Sequence, residues 1–354
     1  MKKLLIINAG GTSTKLGIFH NTEVVSTETY RHDFSSLPIP FSLWDQYDIR
    51  KKAVQEYLTK HNIDIKSLDA IVSRGPAVKP LHSGVYKINQ QMLDDAKSRR
   101  YGDHPCAIGC MIAYDLALNT VPAYTVDPPC VDEMISVARV TGLPAIQRKS
   151  FFQALNHKAV GRLLAKQLNR RYEDLNIVIS HLGSGISVAS HLKGRVIDVT
   201  NGLDGDAPFG LDRVGTLPVA DWMRFCLSGD NQPEDLHRIL NGGGGMMAHL
   251  GTSSAIDIEQ RIQQGDKHAE LIYDAMAFQI VKGIGAAACA LGTRPDAIVF
   301  TGGLANSTYF TNKLKTKLDW LAPVHIFAGE NELLALAEGG MRVLNQQEDA
   351  RIYE

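Results

Sequence analysis

The stretch Asn8-Ala9-Gly10-Gly11-Thr12-Ser13-Thr14-Lys15 sets two adjacent glycines, three hydroxyls and a cation between two apolar runs, residues 4–7 and 16–19. Adjacent glycines let a backbone take positive φ and bring its N–H groups close to an anion. The hydroxyls of Thr12, Ser13 and Thr14 add donors and Lys15 adds charge, so the turn suits phosphate. The spacing differs from the P-loop G-x-x-x-x-G-K-[ST], which needs a helix after it; here a strand follows, and a glycine hairpin with no ligand fits equally well. Three further side chains stand where strands or loops end. Arg74 follows the short apolar run Ala70-Ile71-Val72 and precedes Gly75-Pro76, and Asp127 precedes two prolines. Arg213 closes the polar loop of residues 201–213. Cations at strand ends can clamp phosphate, because open α/β sheets bind ligands beyond their strand ends, and a carboxylate on a stiff loop suits Mg²⁺ or catalysis.

The elements that must position these residues occur twice. At an offset of 172, Ile6-Ile7-Asn8 falls on Val178-Ile179-Ser180, Gly11 on Gly183, Thr12 on Ser184, Leu16 on Val188, and Val24-Val25 on Val196-Ile197. A hairpin followed by a third strand is therefore repeated, and the second copy carries His181-Leu182-Gly183-Ser184-Gly185. Residues 70–75 pair loosely with 297–302, and 124–127 with 325–328. The chain reads as two similar α/β domains.

At 354 residues with 44% hydrophobic content, each domain can bury its own core. A net charge of −1, with Lys and Arg spread throughout, gives no nucleic-acid footprint. The apolar run after Met1-Lys2-Lys3 stops at Asn8, short of the roughly 7–15 residues of a secretory h-region. Five scattered cysteines fit reduced thiols rather than a disulfide framework. A cytoplasmic protein without a membrane or nucleic-acid partner is expected. The longest weakly polar segment, 271–292, carries Asp274, Gln279 and Lys282 and reads as a buried helix. Cys106 and Cys110 sit in an apolar helix, where buried thiols outweigh a metal site with His104.

Taken in order, residues 23–30 alternate like a strand, and residues 37–40 hold a proline break. A helix is expected over 45–60, with Ile49, Ala53, Val54, Tyr57 and Leu58 buried and Arg50, Lys51, Lys52 and Glu56 opposite. Another helix is expected over 151–168, placing Gln153 and His157 one turn apart on one face. Asn241 and the four glycines 242–245 suggest a hinge, a lid or a nucleotide surface. Thr301-Gly302-Gly303 behind a strand suits a nucleotide base.

The ordered motifs are Ile7 to Lys15, Val72-Ser73-Arg74-Gly75, Val126-Asp127-Pro128, His181 to Ser187, Asp212-Arg213-Val214-Gly215-Thr216-Leu217-Pro218, Phe300-Thr301-Gly302-Gly303-Leu304-Ala305 and Asn331-Glu332-Leu333. Together they resemble the actin, sugar-kinase and acetate-kinase superfamily, and within it the short-chain carboxylate kinases of the acetokinase family, most of all the butyrate kinases. The resemblance implies two duplicated actin-like (ribonuclease H-like) α/β domains with an ATP cleft between them. Residues 1–148 with the C-terminal helix 337–354 would form one domain, and 149–336 the nucleotide-binding one. It further implies at least a homodimer, and reversible, ATP- and Mg²⁺-dependent phosphorylation of butyrate or a related short-chain carboxylate.

By residue-wise transfer, Asn8, Arg74 and Arg213 would contact the phosphoryl group and carboxylate, and Asp127 and Glu332 would hold Mg²⁺. Gly10, Gly11, Thr12, Ser13, Thr14, Lys15, His181, Gly183, Ser184 and Gly185 would face phosphates, and Gly302 and Gly303 the adenosine. Two departures stand out. Gly11 replaces the usual serine, and Gln153 occupies the column where acetate kinases carry a catalytic histidine, so either Gln153 or His157 would serve there. Acetate or propionate as acceptor, an alcohol kinase with Asp127 as general base, and a non-catalytic ATP-gated binding protein are the competing readings.

Overall fold

Apolar residues without alternation make a strand only where both faces are covered. Leu4, Leu5, Ile6 and Ile7 are all fully buried. In the computed structural model, which describes residues 1–37, 42–118 and 120–354, they lie in the first of twelve strands among the described residues. The strands are β1 (Lys3–Ala9), β2 (Ser13–His20), β3 (Glu23–Arg31), β4 (Ala70–Arg74), β5 (Val85–Lys87), β6 (Ala123–Val126), β7 (Asn176–Leu182), β8 (Ile186–Leu192), β9 (Arg195–Val199), β10 (Ala297–Gly302), β11 (Val324–Ala328) and β12 (Arg351–Ile352). The proline break at 37–40 falls on residues 38–40, outside the described residues.

The chain divides into residues 1–131 with 331–354, and residues 132–330. The sequence reading sets these boundaries at 148/149 and 336/337. The helix Glu332–Leu344 lies wholly in the first unit, because Gly339 and Gly340 let it press on Val126, Val72 and Leu4; a Cβ on Gly340 would stand 2.9 Å from Leu4 and 2.8 Å from Val72.

The first unit carries a seven-stranded sheet ordered β12-β5-β6-β4-β1-β2-β3. β1, β2 and β3 form an antiparallel meander, and β4 and β6 add in parallel beside β1. On one face Leu5, Ile7, Leu16 and Ile18 pack with Val54, Tyr57, Met92 and Ile108 from three helices, Tyr47–Lys60, Gln90–Ser98 and Cys106–Ala117. β5 and β12 had no sequence signal, being three and two residues long.

The second unit repeats the meander and its two parallel neighbours in the order β11-β10-β7-β8-β9. Even the irregularities match: β2/β3 slips register at Ile18/Phe19 and β8/β9 at Ser190/His191, at the repeat offset. In the first unit the Tyr57 hydroxyl accepts from Ile18 N–H at 3.1 Å beside that slip. The ungapped alignment needs one correction. Ala9 pairs with Thr14, but Leu182 pairs with Ile186, so the second turn is one residue shorter. Asn8, opposite Lys15, therefore corresponds to His181, opposite Ser187, and not to Ser180.

The 24-residue helix Lys267–Ala290 is long and apolar enough to cross a membrane by composition, yet Tyr273, Met276, Ile280 and Ile284 are fully buried against Val178, Val188 and Phe300. It is the core helix of this unit. Asp266 caps it, accepting from Ala269 N–H at 2.9 Å.

Candidate active site

In the first unit two of the candidate side chains leave the C-terminal ends of neighbouring strands. Asn8 near the end of β1 and Arg74 at the end of β4 both project toward the start of the helix Glu332–Leu344. Glu332 joins them: its Oε2 accepts from Asn8 Nδ2 at 2.5 Å and its Oε1 meets Arg74 Nη1 at 2.5 Å. The pair is shielded, with Arg74 16% and Glu332 11% exposed, so it is stronger than a surface ion pair. A carboxylate in the first turn of a helix is also favoured by the N-terminal dipole. Asn8 Oδ1 is buried and has no hydrogen-bond partner among the described residues. An oxygen left so beside a cation and a carboxylate is an acceptor waiting for a ligand, water or ion.

The strand ends are held from behind by thiols. Cys106 Sγ donates to Ala9 O at 3.1 Å and Cys110 Sγ to Arg74 O at 3.2 Å. Burial pushes both thiols up, Cys106 to about 12, which makes them neutral structural donors, and no cluster of three metal-ligating side chains occurs among the described residues. His104 is pushed down to about 4 by burial and then by the nearby Arg74.

Asp127, just past β6, is 1% exposed and takes φ +38°, a left-handed conformation that is uncommon outside glycine. Its Oδ1 accepts from Ser83 Oγ at 2.7 Å and Gly84 N–H at 2.8 Å, and its own N–H donates to Gly84 O at 3.0 Å. Gly75 lets this loop approach Arg74's strand; a Cβ there would lie 2.3 Å from Pro128 Cβ.

The first turn presents Gly11 and Thr12 to solvent. Lys15 stands opposite Asn8 in the ladder, so the two side chains leave the same face. Thr14 does not share this outward role, which corrects the expectation of three ligand-facing hydroxyls. It is fully buried on the other face, with its Oγ1 bonded to Arg50 Nη1 at 3.0 Å and His32 Nε2 at 2.8 Å. Arg50 is the second correction. Expected opposite the apolar stripe, it is fully buried, because it lies three, four and seven residues before Ala53, Val54 and Tyr57 on the inward face.

In the second unit His181, near the end of β7, is 3% exposed; its Nδ1 meets Asn156 Oδ1 at 3.0 Å and its Nε2 meets Glu330 Oε1 at 2.9 Å. The turn of residues 183–185 is fixed through Ser184 O, which accepts from Leu211 N–H at 3.0 Å and Asp212 N–H at 3.4 Å. This places Arg213 beside the turn, its Cγ 3.5 Å from where a Gly185 Cβ would be. Arg213 Nη1 pairs with Asp212, while its buried Nε has no partner among the described residues. Gly302, at φ +88°, lies against the end of β7, where a Cβ would stand 2.6 Å from Leu182 O, and Gly303 faces open space.

Two expectations change here. Gly244 and Gly245 form no free lid; Cβ atoms on them would meet Val214 N at 2.6 Å and Gly210 O at 2.1 Å, so they pack on the loop that carries Arg213. Nor does the helix begin at residue 151, so Gln153 stands at its cap rather than inside it. The helix runs Ala154–Gln167 with Gln153 as its N-cap residue, whereas His157 is fully buried, its Nε2 2.9 Å from Ser187 Oγ and its Nδ1 3.3 Å from His191 Nε2. Burial pushes His157 and His191 well below the usual histidine range. His157 therefore belongs to the core, and Gln153 remains at the surface end of the helix that supplies Asn156 to His181. Sequence reasoning missed Asn156, Glu330, Ser83 and Arg50; of these only Arg50 had a signal, its place in the helical stripe.

A meander of three antiparallel strands with two parallel neighbours, built twice, has the α/β fold of the actin-like kinases. A family model described as Acetokinase family matches residues 144–352, more than half of the chain, and the protein belongs to that family of carboxylate kinases. Solved structures agree in fold. The acetate kinase of Porphyromonas gingivalis shares 18% identity with a TM-score of 0.80, over 97% of this chain and 100% of that one. The propionate kinase of Francisella tularensis subsp. tularensis shares 18% with 0.76, over 96% and 99%. The acetate kinase of Entamoeba histolytica shares 17% with 0.77, over 98% and 100%.

Proposed function

We propose that the protein transfers the γ-phosphoryl group of ATP reversibly to butyrate or a related short-chain carboxylate, forming an acyl phosphate and ADP. Family membership supports the class of reaction, and the observation that carries it to particular residues is the Asn8–Glu332–Arg74 cluster with its unsatisfied Asn8 Oδ1. A carboxylate is ionised at neutral pH and needs no general base; the reaction needs positioning and neutralisation of charge on the transferring group. Arg74 and Lys15 supply positive charge in the first unit, and Arg213 does so beside the second turn. Asp127, buried and locked, serves better as a fixed anion than as a mobile base.

Mg²⁺ fits the donors present. Asp127, Glu332 and Asn8 Oδ1 all offer oxygen, the ligand type that Mg²⁺ takes from one or two carboxylates while it keeps several waters and arrives with nucleotide phosphates. Bound, it would neutralise phosphate charge. In this reading Glu332 also holds Arg74 and Asn8 in place.

Acetate and propionate remain alternatives, supported by the activities named for the structural relatives. Hydroxamate trapping of the acyl phosphate across acetate, propionate, butyrate and isobutyrate tests the proposal. Two extra methylenes at about 0.8 kcal/mol each favour butyrate over acetate by about 1.6 kcal/mol, roughly 15-fold in kcat/KM. A kcat/KM for acetate equal to or above that for butyrate reassigns the substrate, and phosphorylation of an alcohol alone overturns the class.

A further inference from the structure

Arg50 is a fully buried guanidinium, and among the described residues its hydrogen bonds all go to neutral oxygens. Its Nη2 donates to Gly10 O at 2.8 Å, Gly11 O at 2.7 Å and Gln46 Oε1 at 2.8 Å. Nη1 donates to Ser13 O at 2.9 Å and Thr14 Oγ1 at 3.0 Å, and Nε to Gln46 Oε1 at 3.1 Å. Among the described residues no ion pair joins it to a carboxylate. Burying a cation without a counter-ion is costly, and mere packing would be served better by an apolar side chain. The ring of Phe34 lies 5.3 Å from the guanidinium carbon, and His32 closes the cluster through Thr14. Burial pushes the guanidinium down to about 10, which leaves it charged at neutral pH.

The consequence lies on the other side of the turn. In a planar trans peptide the carbonyl and the following N–H point in opposite directions. Carbonyls of Gly10 and Gly11 drawn to Arg50 therefore send the N–H groups of Gly11 and Thr12 away from it, on the exposed side of the turn, and neither donates to a protein acceptor among the described residues. We propose that Arg50 is a positioning residue for phosphoryl transfer: from behind, its fork gathers the turn's carbonyls so that the Gly11 and Thr12 amides form a concavity for a phosphoryl oxyanion. It never touches the ligand. The arrangement also places an uncompensated positive charge behind the turn, which adds to the potential felt by an anion in front. The loss of a hydroxyl at Gly11 is thereby offset, since the donors that matter are backbone groups.

This inference rests on the reading of the first turn as a phosphate site, and the test separates the two. Inorganic phosphate is titrated into ¹⁵N-labelled protein while the Gly11 and Thr12 amide signals are followed, for the wild type, Arg50→Met and Arg50→Lys. Both signals shift in the wild type; the response is lost in Arg50→Met and partly kept in Arg50→Lys, whose single ammonium cannot span the carbonyls. In parallel, kcat falls roughly 100-fold in Arg50→Met, the scale for misplacing catalytic groups by about 1 Å, with a smaller change in KM for the carboxylate. Guanidinium ion restores part of kcat to Arg50→Ala. If the wild-type amides ignore phosphate, the phosphate reading of the turn fails. If they respond and Arg50→Met responds equally, that reading stands and the role of Arg50 is overturned. Should Arg50→Met not fold, Gln46→Met frees the fork while leaving the charge, and its expected roughly 10-fold weaker phosphate response, against no change, decides the same question.

Discussion

The two hairpins share a register slip against their third strand and a buried polar residue before the turn, Asn8 in one and His181 in the other, each bonded to a glutamate, Glu332 or Glu330. They differ in what stands behind the turn. The first leans on a side chain, with Arg50 holding three of its carbonyls. The second leans on backbone, with Leu211 and Asp212 N–H groups on Ser184 O, and has the apolar Ile186 where the first has Thr14. Duplication kept the strand frame, which packing fixes, and let the support of each turn diverge. A side-chain support can be removed by one substitution, while a backbone support survives most of them.

The sharpest way to break this comparison is through the two arginines. Arg74→Ala and Arg213→Ala each lower kcat by roughly 10² to 10⁵, the range for losing a charge that stabilises a phosphoryl transition state, with the circular dichroism spectrum preserved. Lysine rescues either only in part. A near-normal kcat for Arg213→Ala would leave the second turn without a share in charge stabilisation.

The glutamates give the next contrast. Glu332 is 11% exposed and joins Arg74 to Asn8, while Glu330 is 35% exposed and meets Nε2 of His181. Glu332→Gln lowers kcat about 100-fold, because Arg74 and Asn8 lose their common anchor, and Glu330→Gln lowers it about 10-fold or less. Steady-state kinetics that reverse this order would make the second unit the more demanding one.

Gln153 and His157 separate function from packing. Gln153→Ala lowers kcat about 10- to 100-fold with little change in melting temperature, since a neutral amide donor is worth less than a cation. His157→Ala instead destabilises the second unit by about 2–5 kcal/mol, through a cavity and the stranded hydroxyl of Ser187, with kcat per folded molecule near normal. Calorimetry and active-site titration distinguish them; a His157→Ala enzyme that melts normally but does not turn over would reverse the assignment.

The smallest effect is one of pH. Burial, then Arg50, pushes His32 down to about 4, and burial with Arg74 does the same to His104. The unfolded chain takes up these protons near pH 6.5 and the folded one only near 4, so stability is full above about 6.5 and falls between 6.5 and 4. In the second unit His157 and His191 are held neutral in the same sense. Melting temperature measured from pH 7.5 to 4.5 should therefore decline below 6.5, and His32→Gln should flatten part of that decline. No change in slope would mean that His32 titrates normally.

Much of the frame was legible in the chain itself. Apolar runs of strand length around glycine turns, repeated at one offset, specify two hairpins and their third strands, because strand pairing and burial depend on local pattern. Strand-end positions such as Arg74, Asp127 and Thr301-Gly302 follow from the same pattern. What the sequence could not decide was which polar groups face each other. Glu332 lies 324 residues from Asn8 and reaches it only because two glycines press its helix onto the sheet. Ser83 and Gly84 reach Asp127, and Asn156 and Glu330 reach His181, across shorter gaps that local pattern does not bridge either. The shorter second turn moved Asn8's counterpart from Ser180 to His181, a shift that hydrogen-bond register alone reveals. Arg50 shows the limit most plainly. The sequence reading set it opposite the apolar stripe with its charged neighbours, and only the carbonyls gathered around it in three dimensions show why it is buried instead.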